Sequence, residues 1–247
     1  MLDTGLNINV ITHVRTTAAD VHDIHATQAI QKDLCNMGIR PQEHIVDTGY
    51  LSLEQLVKSK QEHNIDLIGP VKEASTWRSK TDGAYTLDKF IIDWTKKTIY
   101  CPQGKSSSTW GNYYKNVDGY ITAVFSAKDC KKCEARGLCV GATSSKRRVN
   151  FPMEMQYTAK KNLIERLNTP EGKALYAQRA GVEGTISQGV RNHGMRRSRY
   201  MGIRKTHLQE IASASAINIY RLANWFNNKP LEKSRESAFY QLRPKAA

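Results

Sequence analysis

The stretch Tyr176-Ala-Gln-Arg179-Ala-Gly-Val-Glu183 sets a tyrosine, an arginine and a carboxylate at positions i, i+3 and i+7. On a helix turning about 100° per residue the three fall on one stripe. A carboxylate beside a guanidinium suits work on a phosphate, with Glu183 holding a metal ion and Arg179 binding an oxygen. The plainer reading of the spacing is an intrahelical ion pair. Gly181 and Gly184 flank the carboxylate, which points to close approach of another backbone or a ligand, or to a simple kink. A second acid, Asp47, closes the short apolar run His44-Ile45-Val46, read as a strand. Ligand sites in α/β sheets gather at such strand ends, although Asp-Thr-Gly also suits a plain turn. Two carboxylates from separate elements, with a basic face nearby, can hold Mg²⁺ against phosphate oxygens.

Sulfur marks a second candidate centre. Cys101, Cys130, Cys133 and Cys139 are clustered, while Cys35 stands alone. Cys130-Lys-Lys-Cys133 is a compact knuckle able to place two thiolates on one tetrahedral ion, and Cys139 and Cys101 can complete a structural Cys₄ zinc site. The surrounding segment has few aliphatic residues, so a metal would help it fold. Reduced cysteines in a small β module, and an iron–sulfur cluster, are the alternatives.

Charge supplies the partner. From Ser145 onward there are 20 lysines and arginines against 7 glutamates, which accounts for nearly all of the net charge of +14. A block of this kind attracts polyanions, with nucleic acid ahead of an acidic protein or a membrane surface. Its densest part is a predicted loop containing Arg191, His193, Arg196, Arg197, Arg199, Arg204 and Lys205. No apolar run of 18 residues predicts a membrane span, and the start of the chain does not read as a signal peptide. A cytoplasmic, nucleoid-associated protein is therefore expected.

The elements that must position these groups read as α/β. Ile8–Val14 is predicted as a strand and Asp20 as the cap of a helix carrying Ile30, Leu34 and Met37 and ending at Gly38. After the Asp47 strand, Ser52 and Gln55 form a predicted capping box for a helix with Leu53, Leu56 and Val57, and Ile65–Val71 is a further strand. This alternation predicts a sheet with parallel neighbours. Residues 75–151 lose helical periodicity and read as a β-rich insertion. Aromatics there, interleaved with Lys105, Lys115, Lys131 and Lys132, form a small core or touch DNA. Thr169-Pro170-Glu171 opens the helix of Tyr176, Arg179 and Glu183. Thr206 is predicted to cap a last helix whose stripe of Leu208, Ile211, Ser215, Ile219, Leu222 and Phe226 packs into the core. The expected divisions are 1–74, 75–151, 152–228 and a flexible tail, 229–247.

Tyr176-x2-Arg179-x3-Glu183 resembles the opening of the Y-x2-R-x3-E-x6-K signature of DDE transposases from bacterial insertion sequences. Arg179-Ala-Gly-Val-Glu183-Gly-Thr-Ile-Ser-Gln-Gly189 and Lys205-Thr-His-Leu-Gln209 are similar to the C-terminal half of one large group of these enzymes. Val46-Asp47-Thr-Gly-Tyr50 resembles their second-aspartate motif, and Ile68-Gly-Pro70 and Cys101-Pro-Gln-Gly104 look like the same group. The resemblance runs from about Ile11 to Phe226. It implies an RNase H-like core and two-metal, Mg²⁺-dependent DNA strand cleavage and joining, with Asp47 and Glu183 as the second and third acidic ligands. It places Tyr176 and Arg179 on the DNA, with Arg191 beside the family's lysine position, while Arg196, Arg197 and Arg199 are expected on the DNA from the charge of their loop. The family's lysine falls at Val190, with Arg191 one step on. The first acid has no counterpart: Asp3 lies in what resembles the turn entering the third strand, and Asp20 and Asp23 read as helix-start residues. A truncated or split transposase is therefore expected, its first strands supplied by a complementing fragment or another copy, and its stability alone poor. Two other readings stay open, a non-catalytic DNA-binding protein that blocks the intact enzyme and a metal-dependent nuclease.

Overall fold

The computed structural model describes residues 8–72, 76–115 and 118–229. The expected tail beyond Lys229, and Asp3, lie outside the described residues.

Helix α1 (Ala26–Asn36) follows a 3₁₀ turn at Asp23–His25, which is capped by His22 and not by Asp20. Gly38, at φ 72°, ends the α1 segment as its sequence predicts. Strand β1 (Glu43–Ile45) then leads through Asp47 to α2 (Leu53–His63) and back to β2 (Asp66–Ile68). The two strands pair in parallel, His44 opposite Leu67, as a crossover through a helix requires. Ser52 caps α2 by accepting from the Gln55 N–H at 3.1 Å, but the reciprocal half of the capping box is missing and the buried Gln55 Oε1 has no partner. Arg166 reaches over from a later helix to Glu43 on β1 and to Asp66 on β2.

Ile8–Val14 is not a strand. Three of its backbone groups go to side chains of the last helix: the Ile11 N–H donates to Asn218 Oδ1 and Asn218 Nδ2 donates to the Ile11 carbonyl, both at 2.8 Å, and Arg221 donates to the Asn9 carbonyl. With those groups satisfied, β-branched residues alone do not make a ladder.

The middle segment holds a short helix α3 (Trp77–Lys80), a hairpin of β3 (Ile91–Asp93) and β4 (Thr98–Tyr100), and an antiparallel sheet of β5 (Thr109–Lys115), β6 (Asp118–Val124) and β7 (Arg148–Pro152). Two short helices, α4 (Ala127–Lys131) and α5 (Arg136–Cys139), lie between β6 and β7. Phe90, Ile99, Phe125, Val149 and Phe151 form its core. Trp94 packs edge-on to Trp110 and Phe151, with centroids 5.7 Å apart. Those two tryptophans are thus spent on packing.

Four helices follow: α6 (Glu154–Asn168), α7 (Pro170–Ala177), α8 (Ala180–His193) and α9 (Ile203–Phe226). Leu163 of α6 enters a second core with Val46, Leu56, Leu67 and Ile68. Thr169 caps α7, with Pro170 in its first turn, as predicted. Helix α9 differs from expectation twice. It starts at Gly202, φ 92°, ahead of Thr206, whose hydroxyl bonds back to the Gly202 carbonyl. Its apolar stripe is not core: Leu208, Ile211, Leu222 and Phe226 are exposed and Ile219 is 67% exposed, while the face turned inward carries Ser213, Ala214 and a fully buried Ile217. Among the described residues no helix is long and apolar enough to cross a membrane.

Candidate phosphate and metal site

Asp47 leaves β1 at the point where the chain turns into a 3₁₀ segment, Thr48–Tyr50. Its Oδ1 caps that turn by accepting from the Thr48 N–H at 2.8 Å, so that Oδ2 is the oxygen turned to Arg179. The position is set from behind by Gly69, where a Cβ would stand 2.6 Å from the Val46 carbonyl oxygen. Only glycine lets the two strand ends approach this closely.

The helix predicted to carry Tyr176, Arg179 and Glu183 is two helices. At the joint, Gln178 and Arg179 donate to the carbonyls three residues back, at 3.2 and 3.1 Å, so the turn is tightened and α8 starts afresh. Gly181, just inside α8, is a weak helix former and favours the break. Arg179 therefore sits at the corner with its guanidinium between two acids. Nη1 donates to Glu183 Oε1 and Nη2 donates to Asp47 Oδ2, each at 3.0 Å. The intrahelical ion pair and the long-range contact exist together. Desolvation is the largest single influence on Arg179 and works against its charge, but Asp47, Tyr176 and Glu183 together outweigh it and hold the guanidinium above its ordinary value. Both carboxylates remain exposed. A Cβ on Gly184 would meet open space and one on Gly181 only the Asn9 side chain, so among the described residues no backbone packs against either glycine. Tyr176 packs against the Val46–Leu163 core.

Asp23 reads from its sequence position as a helix-start residue only. It stands beside the site: Tyr50 lies between Asp23 and Asp47, and burial, then the charges of both acids and the contact with the Asp23 carboxylate, push its phenol up. No spacing rule could find this, because two 3₁₀ turns far apart in the chain bring the acids together. Among the described residues, however, no three acidic, histidine or cysteine side chains are gathered tightly enough to hold a metal.

Arg191 is exposed on α8 and Val190 is half-buried. Arg196, Arg197 and Arg199 are exposed on the loop before α9 and form no ion pair with a described carboxylate. Gln209 pins that loop, accepting from the Arg199 N–H at 2.9 Å and donating to the Arg197 carbonyl at 2.8 Å. Between loop and helix lies a cavity of about 730 Å³ lined by His193, Arg199, Tyr200 and Lys205 among others.

Cys101, Cys130, Cys133 and Cys139 all line one small cavity in the middle segment. Cys139 is buried and burial raises its thiol, against the pull of the nearby Arg147.

The family model of the transposase DDE domain matches residues 100–223, just over half of the chain. The chain belongs to that family. The match takes in Tyr176, Arg179, Glu183 and the four clustered cysteines and leaves Asp47 outside. No curated protein and no solved structure matches the chain.

Proposed function

We propose that this chain acts in DNA transposition by DDE-type, Mg²⁺-dependent strand cleavage and joining on an RNase H-like core, with Asp47 and Glu183 as metal-holding acids. The observation that carries the reading is the convergence of Asp47 and Glu183 on the two terminal nitrogens of Arg179. The parallel β1–α2–β2 unit, with Asp47 just beyond the end of β1, suits a ligand site at strand ends. Residues 1–74 and 152–228 are read as the core and 75–151 as an insertion, in keeping with two separate hydrophobic clusters.

The donors fit Mg²⁺. It is held through one or two carboxylates together with water and phosphate oxygens, and Arg179 marks with its own positive charge the place between them. Bound there with phosphate, Mg²⁺ would prepare the attacking oxygen and neutralise charge on the leaving one. The chain's residues do the rest. Arg179 turns from the carboxylates to a phosphate oxygen. Arg191, Arg196, Arg197 and Arg199 hold the DNA backbone, and Tyr176 buttresses Arg179. Two acids serve one ion, and the first family acid, with the second ion it serves, is supplied from outside the described residues, whether by this protein, a complementing transposase fragment or a second copy. The edge of β1 away from β2 is unpaired among the described residues and suits an added strand. A zinc ion on Cys101, Cys130, Cys133 and Cys139 would be closed and structural and would take no part in cleavage.

The test is Mg²⁺-dependent nicking of supercoiled plasmid by the chain, alone and with a second polypeptide carrying the missing acid. Glu183→Gln should abolish nicking and leave DNA binding intact. Salt-sensitive binding with no nicking under either condition would replace this reading with the non-catalytic one.

A further inference from the structure

The cavity lined by the four cysteines carries a charge imbalance. Lys105, Arg136 and Arg147 line it against a single acid, Asp129, so with neutral thiols its wall holds two positive charges in excess. Arg147 is the sharpest case. It is 6% exposed and donates to the carbonyls of Cys139 and Tyr85 at 3.2 and 3.1 Å, yet its Nε–H is buried with no partner. Its guanidinium lies over the Phe90 ring, and among the described residues no carboxylate pairs with it. A buried cation without a counter-charge is costly. Arg78, donating to the Cys139 carbonyl at 2.8 Å, adds a further cation behind the sulfurs.

One backbone donor also faces a sulfur. The Arg147 N–H points at Cys130 Sγ at 3.5 Å. Cys101 opens a turn in which the Gly104 N–H returns to the Cys101 carbonyl at 2.8 Å, with Gly104 at φ 74°. Cys130 and Cys139 sit on short helices that pack on the same small core. The sulfurs share a cavity without three of them being collected at ligand distance.

We infer that this cavity is a structural zinc site in which Cys101, Cys130, Cys133 and Cys139 bind as thiolates and Arg147, with Lys105 and Arg136, balances their charge. Zn²⁺ with four thiolates carries two negative charges, which matches the excess on the wall. Binding would require the four sulfurs to approach one another, and the four thiol protons would leave to solvent. Cadmium or Co²⁺ can occupy the same tetrahedral set, whereas Mg²⁺ and Ca²⁺, which prefer oxygen, cannot. This inference is independent of the strand-cleavage reading.

The test uses the full chain purified without chelator. Elemental analysis should find about one zinc per chain, with the four clustered thiols protected from alkylation and Cys35 reactive. Co²⁺ exchange should give thiolate charge-transfer absorption and tetrahedral d–d bands. Cys133→Ser should lose the metal, and Arg147→Met should weaken zinc about ten-fold, the size of effect seen when a partner of a metal ligand is removed. If the serine variant fails to fold, thiol protection in the parent chain still decides. Zinc near zero with four reactive thiols, a Cys130–Cys133 disulfide, or bound iron would each overturn the site. Unchanged zinc affinity in Arg147→Met would overturn the charge-balancing role.

Discussion

Arg179 and Asp47, 132 positions apart in the chain, are joined by a 3.0 Å hydrogen bond, and the same guanidinium holds Glu183. The arginine thus competes with any cation for both acids. Arg179→Ala should raise the affinity for Mn²⁺ several-fold, measured by electron paramagnetic resonance titration, while lowering strand cleavage about 10²-fold through loss of a phosphate donor. Because the ion pairs are solvent-exposed, thermal melting should stay within about 2 °C of the parent. Weaker Mn²⁺ binding in this variant would contradict the competition.

The two faces of α9 should respond in opposite ways. Ile217→Ala removes a fully buried side chain and should cost about 2–4 kcal/mol in urea unfolding. Ile219→Glu, two residues on but exposed, should change stability by less than about 0.5 kcal/mol. Equal losses would mean that the outer stripe is packed after all.

The pinned basic loop should govern DNA affinity without reading sequence. Reversing Arg196, Arg197 and Arg199 to glutamate should weaken binding to unrelated duplexes alike, and the slope of log K against log salt should flatten by about 2–3. An unchanged slope would remove the loop from the contact surface.

Local chemistry was readable from the residues. Thr169-Pro170 and Ser52 cap as their types require, Gly38 stops its segment, and the parallel pairing of β1 and β2 follows from a strand–helix–strand order. What tertiary partners decide was not readable. Ile8–Val14 has strand composition, but Asn218 and Arg221 take its backbone groups. The stripe Leu208–Phe226 has core periodicity, but the helix turns its small residues inward, and periodicity does not say which side a neighbour lies on. The stripe through Tyr176, Arg179 and Glu183 assumed an unbroken helix, and the tightened turn at Gln178 moved Arg179 into the gap between the acids. Asp23 reached the site through turn-to-turn packing, for which the sequence carries no spacing signal.

The central claim is that Asp47 and Glu183 share one cation. Mn²⁺ titration of the full chain and of Asp47→Asn, Glu183→Gln and the double variant measures it directly. The account predicts that each single change removes the Mn²⁺ site and that the double change removes nothing more, as expected for two residues acting on one ion. Parent-level affinity in either single variant would contradict it.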